Sequence, residues 1–255
     1  MRDNVRAFVK LAAEAFELDG PVYEFGSYLV EGQEELADLR PLFPNQYYVG
    51  CDLRPGPGVD RIEDLAALSL ADGVAQTIVC VETLEHVFEA RRAVDEMIRV
   101  LAPGGVILIA APLDFHIHDH PSDYWRLTPS CLTRLLAPLD AALVGWQGNE
   151  RFPHTVFALG AKRPVSARFV RGANQFVAAM QQWVALAAAD ERWQRRLKRW
   201  AAQWLTSKSE HVRRRDYFQV QFVLDMPRGA DWKHELLQGA GEGSGFRVQG
   251  SGRAS

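Results

Sequence analysis

The chain has 255 residues, 47% hydrophobic and 24% charged, an ordinary globular balance that allows one sizeable core and an appended segment. No run of about 18 apolar residues occurs, which excludes a membrane-spanning helix, and Met1 to Lys10, with charges at Arg2, Asp3, Arg6 and Lys10 and no apolar run after them, does not read as a secretory leader. The net charge of -3 hides an asymmetry: residues 1–160 carry 12 Lys+Arg against 24 Asp+Glu, residues 161–237 carry 15 against 7, and the two parts should meet different partners.

Residues 3–18 predict an amphipathic helix, with Val5, Phe8, Val9, Ala12 and Phe16 at helical spacing and Asp19-Gly20-Pro21 as its stop. Val22 to Phe25 is a short strand ending at Gly26. Glu34 to Leu39 is helical, and Tyr47 to Asp52 is a second strand. Ile62 to Leu70 is loop with a helical turn, and Thr77 to Val81 a third strand. Ala90 to Leu101 is a helix closed by Pro103-Gly104-Gly105, and Val106 to Ala110 a fourth strand. Continuous apolar runs of this kind belong to strands buried on both faces of a parallel sheet, and their alternation with helices predicts βαβ units. Thr128 to Leu136 is a helix with Thr128 as N-cap and Pro129 in its first position. Ala141 to Trp146 and His154 to Ala161 form an antiparallel pair at the sheet edge.

The expected architecture is α/β, a doubly wound, mostly parallel, seven-stranded Rossmann-like sheet with an antiparallel edge hairpin. It fills residues 1–163. Residues 164–237 form a basic, Trp-rich, mainly helical extension. Phe176, Met180, Trp183 and Ala187, then Trp193, Leu197, Trp200 and Trp204, follow helical spacing, and Tyr217 to Leu224 reads as a strand. Residues 238–255, rich in Gly and Ser, predict a disordered tail. Cys51, Cys80 and Cys131 are far apart and odd in number. They read as buried small hydrophobes of a reducing compartment, which makes cytoplasm the expected location.

In a doubly wound sheet, ligands bind beyond the carboxyl ends of the strands at the switch point. Gly26 follows the first strand, where a missing Cβ lets main chain approach a ligand. Glu24 just before it can receive an ammonium group. Asp52 ends the second strand, where a carboxylate can accept from both hydroxyls of a ribose, and Asp64 can accept from an adenine amino group. A second cluster follows the fourth strand: Pro112, Asp114, His116, His118, Asp119, His120, Asp123, Tyr124, Trp125 and Arg126. An imidazole can take up a proton near neutral pH. His118 and Asp119, with His116, are therefore the candidate catalytic groups, and Asp123, Tyr124, Trp125 and Arg126 the candidate acceptor pocket. The alternation of His116, His118 and His120 also admits a metal site. Pro121 and the polar surroundings favour a loop, and no metal is expected.

The order and spacing of these elements resemble the class I S-adenosylmethionine-dependent methyltransferases, of the small-molecule, type 11-like kind, over residues 20–163. Val22 to Ser27 and Tyr48 to Asp52 resemble the first two motifs. Asp64 before Leu68-Ser69-Leu70 resembles the adenine-contacting element. Val81 to Val87, containing Leu84-Glu85-His86, resembles the segment on the methionine side. Arg99 to Gly105 is the most specific match. The resemblance implies S-adenosylmethionine as cofactor, held by Glu24, Gly26, Ser27, Asp52, Leu53, Asp64, Leu65, Glu82, Glu85 and His86. Only Gly26 of the family's G-x-G-x-G loop is present, Tyr28 adds bulk, and Ser27 is a compensating donor. This loop also argues against a dinucleotide dehydrogenase.

The expected activity is methyl transfer to a small molecule or glycan-type acceptor, by O-methylation. The alternative is a non-catalytic, cofactor-binding regulatory protein that docks through its basic helices. Arg192, Arg195, Arg196, Lys198 and Arg199, interleaved with Trp193, Trp200 and Trp204, read as a solvated basic helix face that can also suit an anionic surface or a homodimer. Nucleic acid is not favoured.

Overall fold

The computed structural model describes residues 1–118, 122–189, 219–226 and 246–250. Five strands run parallel in the order β3 (Arg61–Ile62), β2 (Tyr48–Asp52), β1 (Val22–Phe25), β4 (Ala75–Val81) and β5 (Leu101–Pro112). The chain moves outward from β1 through β2 to β3, then returns to the other side of β1 with β4, so the switch point lies between β1 and β4. Antiparallel β7 (Phe152–Ala161) follows β5, then β6 (Ala141–Asn149), then β8 (Val220–Met226), with β9 (Phe246–Gly250) parallel to β8. The doubly wound sheet with its antiparallel hairpin is therefore present, and it is extended to nine strands.

Side-chain alternation along the strands divides the core in two. Val22, Val79, Val81, Leu108, Phe157 and Leu159 face helices α1 (Asp3–Phe16) and α5 (Ala167–Ala189). Tyr23, Phe25, Ile78, Cys80, Ile107 and Ile109 face α3 (Ala90–Val100) and α4 (Pro129–Leu135). The short α2 (Glu34–Ala37) has no buried residue. Helix α1 buries the stripe predicted for it, and Phe8 stacks on Phe157 at 4.8 Å while meeting Phe176 of α5 edge-on at 5.7 Å. Burying each such side chain contributes about 1.5–3 kcal/mol. Helix α3 buries Ala90, Ala93, Val94, Met97 and Val100, and the Lys162 ammonium donates to the carbonyls of Ile98 and Leu101 at its C-terminal end, where a cation is favoured. Thr128 caps α4 as the sequence predicts, its hydroxyl accepting from the Cys131 N–H at 3.2 Å.

Three differences from the sequence reading have physical reasons. Strand β5 starts before Pro103-Gly104-Gly105 and not after it. Leu101 pairs with Ala75 and Val106 with Thr77, so the intervening residues bulge from the ladder. Ile62, read as the start of a loop, forms with Arg61 a two-residue parallel pairing with the end of β2. Composition predicts disorder over 238–255, yet Phe246–Gly250 pairs with β8, whose outer main-chain groups would otherwise be left as an open edge. Residues 164–237 supply α5 and β8 to this same layered body. Their basic run, Arg192 to Trp204, lies outside the described residues. Among the described residues, no helix is long and apolar enough to cross a membrane.

Candidate active site

A cleft of about 760 Å³ opens past the carboxyl ends of β1, β2, β4 and β5, within the range that holds a cofactor with a small acceptor. The turn after β1 builds its floor. Gly26 has φ +89°, and a Cβ there would overlap the Thr83 hydroxyl, so glycine is required twice over, by backbone and by space. The Gly26 and Ser27 N–H groups both donate to the Cys51 carbonyl, at 2.8 and 3.1 Å.

The glycines missing after Gly26 have counterparts across the loop. Gly58, with φ +82°, brings its main chain against the Ser27 carbonyl and the Leu29 side chain, where a Cβ would not fit. Tyr28 is accommodated beneath the Arg54 guanidinium, 4.5 Å from its ring centre. Ser27 is buried and lines the cleft, and its hydroxyl has no hydrogen-bond partner among the described residues.

Asp52 lies at the cleft end of β2. One carboxylate oxygen accepts from the Tyr28 N–H at 3.3 Å, the other from the Arg54 N–H at 3.1 Å, and the group keeps a face to the cleft beside exposed Leu53. Asp64 and Leu65 line the same end, with Asp64 Oδ1 fixed by the Ala66 N–H at 2.9 Å. Glu24 does not reach the cleft. Its side chain points to the opposite side of β1, is 5% exposed, and accepts from the Tyr48 hydroxyl at 2.6 Å. Burial pushes its carboxyl up to about 7. An ammonium group in the cleft therefore has no direct contact with Glu24, and the sequence expectation for this residue is corrected.

The β4 end supplies Glu82, Thr83, Glu85 and His86. Glu82 takes a left-handed conformation, φ 50°, that side-chain-bearing residues rarely adopt, and pairs with Arg2. Arg2 also donates to Thr155 at 2.9 Å and lies over the Phe115 ring at 5.3 Å. Glu85 is 1% exposed in its side chain, lines the cleft and accepts no hydrogen bond from another described residue. Burial and then neighbouring Glu82 push it up to about 8.

Of the acceptor-side candidates, His116, His118 and Tyr124 line the cleft. Asp119 lies outside the described residues. Asp123, Trp125 and Arg126 are not on the cleft wall and serve as its scaffold instead. Asp123 accepts from both arms of the Arg126 guanidinium and from the His118 N–H, which holds its carboxyl well below the ordinary range. The Trp125 indole N–H donates to the Val87 and Phe88 carbonyls at 3.0 and 3.1 Å. A pair of opposite charges three residues apart satisfies itself before any ligand arrives, which is why those two residues leave the pocket.

The sequence reading missed Arg2, Thr83 and Phe115, all of which line the cleft. Arg2 precedes the first helix with no motif around it. Thr83 and Phe115 stand inside segments already singled out, beside the residues chosen there.

Residues 43–109 match a protein-family model described as a methyltransferase domain. The matched stretch contains Asp52 at the end of β2 and the turn after β4, and the sheet with its cleft at the switch point has the Rossmann-like methyltransferase fold. The chain is a methyltransferase, and its cofactor is S-adenosylmethionine. No curated protein matches it. Similar solved structures include an S-adenosylmethionine-dependent methyltransferase from Thermotoga maritima, at 16% identity and TM-score 0.42, covering 62% of this chain and 92% of that one. Another is the 1,6-didemethyltoxoflavin-N1-methyltransferase of Burkholderia thailandensis with S-adenosylhomocysteine bound, at 15% identity and TM-score 0.47, covering 62% and 78%. A third, from Mesorhizobium loti, has 14% identity and TM-score 0.44, covering 60% and 95%.

Proposed function

We propose that the chain methylates an oxygen of a small-molecule or glycan-type acceptor. The methyl donor lies along the β1–β2 end of the cleft, between Ser27, Asp52, Leu53, Asp64 and Leu65. The acceptor lies between Glu85, His116, His118 and Tyr124. One observation carries this reading: a single continuous cleft runs from Asp52 to His118. Methyl transfer is a direct displacement, in which the acceptor oxygen attacks the methyl carbon, the carbon–sulfur bond breaks and its electron pair stays on sulfur. The protein has to align the two reactants and exclude water, and to take the proton that oxygen loses. His118 is positioned for that step. Its Nδ1 stands 3.1 Å from the Asp123 carboxylate, which fixes the proton on Nδ1 and makes Nε2 the basic nitrogen. Exposed aromatic rings of Phe88 and Tyr124, 5.3 Å apart, offer faces for a sugar or a planar acceptor. Unpaired Cys51, Cys80 and Cys131 support a reducing, cytoplasmic setting.

The test uses methyl-labelled S-adenosylmethionine with hydroxylated small molecules and oligosaccharides. Labelled, base-stable ether products support O-methylation. His118→Ala should lower kcat roughly 100-fold or more, the range of a lost general base, with little change in S-adenosylhomocysteine affinity. Equal turnover removes His118 from the step.

A further inference from the structure

Glu85, His86 and His118 each bring one ligating atom to the acceptor end of the cleft, all within 4.8 Å of one another. Each has the support that an ion site requires. The Glu85 carboxylate is buried, faces the cleft and accepts no hydrogen bond from another described residue. A carboxylate in that position is costly to hold as an anion until a cation meets it. His86 Nδ1 lies 2.6 Å from the Ser122 carbonyl oxygen, which can only accept. The proton is thus on Nδ1, and the lone pair is on Nε2, 3.9 Å from Glu85 Oε1. His118 presents Nδ1 to the Asp123 carboxylate, and Asp123 is locked by Arg126. A carboxylate or a carbonyl behind an imidazole is the arrangement that orients metal-binding histidines and raises their basicity.

We propose that Glu85, His86 and His118 bind a divalent first-row transition-metal cation. Two imidazoles and a carboxylate suit such an ion, and the cleft leaves its remaining positions open to ligand oxygen. Ligands about 2.1 Å from one tetrahedral ion stand about 3.4 Å apart, so atoms that lie within 4.8 Å of one another converge on an ion with at most about 1.4 Å of closure between side chains. The role of the ion rests on the O-methylation reading. An acceptor hydroxyl bound to it would be acidified and its proton would leave to His116 or water; the base role given to His118 above then belongs to the metal-free chain, and in the loaded one His118 would serve as ligand. His116 stands close by, its ring centre 5.9 Å from that of His118.

The experiment uses the full chain, stripped of metal with a chelator and titrated with Co²⁺ alone, read by visible absorption, and with Zn²⁺ alone, read by calorimetry. The expected result is saturable binding of a single ion with ligand-field bands of an imidazole–carboxylate site. Affinity should fall in His118→Ala and in Glu85→Gln by at least the roughly 10–100-fold that loss of a supporting partner costs. S-adenosylhomocysteine binding and the melting curve report whether each variant is folded. His118 is partly exposed, so its variant carries the test if Glu85→Gln does not fold. Absence of bands and of heat, or equal affinity in wild type and His118→Ala, overturns the proposal. Cation binding without S-adenosylhomocysteine binding would instead sink the cofactor placement and leave the metal site standing.

Discussion

The Tyr124 N–H donates to the Glu85 carbonyl across 2.7 Å, and the Trp125 N–H reaches the same oxygen at 3.2 Å. Through this shared carbonyl the segment after β5 is tied to the turn after β4, and the two walls of the acceptor end of the cleft are held together. The Trp125 indole N–H adds its bonds to Val87 and Phe88. Trp125→Phe keeps an aromatic ring and removes those bonds, each worth about 0.5–1.5 kcal/mol. We expect KM for the acceptor to rise up to about 10-fold, with S-adenosylhomocysteine affinity unchanged. A rise in the S-adenosylhomocysteine dissociation constant of the same size would mean that the tie acts on the whole cleft.

Asp52→Ala removes the proposed acceptor of both ribose hydroxyls. Hydrogen bonds to a charged group contribute about 1.5–3 kcal/mol each, so affinity for S-adenosylmethionine should fall roughly 100-fold or more. Calorimetry reads this directly. Undiminished affinity would mean that the ribose lies elsewhere.

Gly26→Ala forces a Cβ onto Thr83 at a left-handed φ. The variant should lose about 1–3 kcal/mol of stability together with cofactor binding. Thr83→Ala takes away the hydroxyl and methyl that the new Cβ meets. The double variant should therefore be more stable than additivity predicts. Additive thermal melts would show that the two residues do not meet.

Glu24 makes stability depend on pH in a definite direction. Its carboxyl is raised from the ordinary 4.5 to about 7 in the folded chain. The folded state thus holds a proton that the unfolded chain gives up earlier. The stabilisation this brings is complete below about pH 4.5 and is lost as pH rises through 7. Glu24→Gln can still accept from the Tyr48 hydroxyl and does not titrate. Relative to that variant, wild type should lose of the order of 3 kcal/mol between acid and pH 9. Urea denaturation across this range is the measurement, and parallel curves for the two proteins contradict it.

Much of the donor half was legible in the sequence because periodicity and turn chemistry are local. The apolar runs at Val22, Tyr48 and Thr77 locate three parallel strands, and the strand ends locate Gly26 and Asp52 at the cleft. What was not legible depends on side-chain direction and on distant partners. Glu24 and Gly26 are two residues apart, yet Gly26 lines the cleft and Glu24 does not. Asp123 and Arg126 read as pocket residues but neutralise each other. The glycine that makes room for Ser27 and Leu29, Gly58, follows β2 in the chain, where no motif of the first loop extends.

Helix α5 covers the apolar face of α1, with Phe169, Phe176, Val177 and Met180 buried against Phe8, Phe16 and the sheet. Helix α1 in turn is preceded by Arg2 at its N-cap, whose guanidinium clasps Glu82 at the rim of the cleft. A chain cut after Arg163 would keep every residue assigned to the methyl donor and still fall short of an independent folding unit. Its first helix would present several bare aromatic rings to water, and the clasp on Glu82 would be anchored to a loose element. Attempts to produce the donor-binding half as a minimal fragment should therefore yield aggregates, and the shortest well-behaved fragment should extend through Ala189.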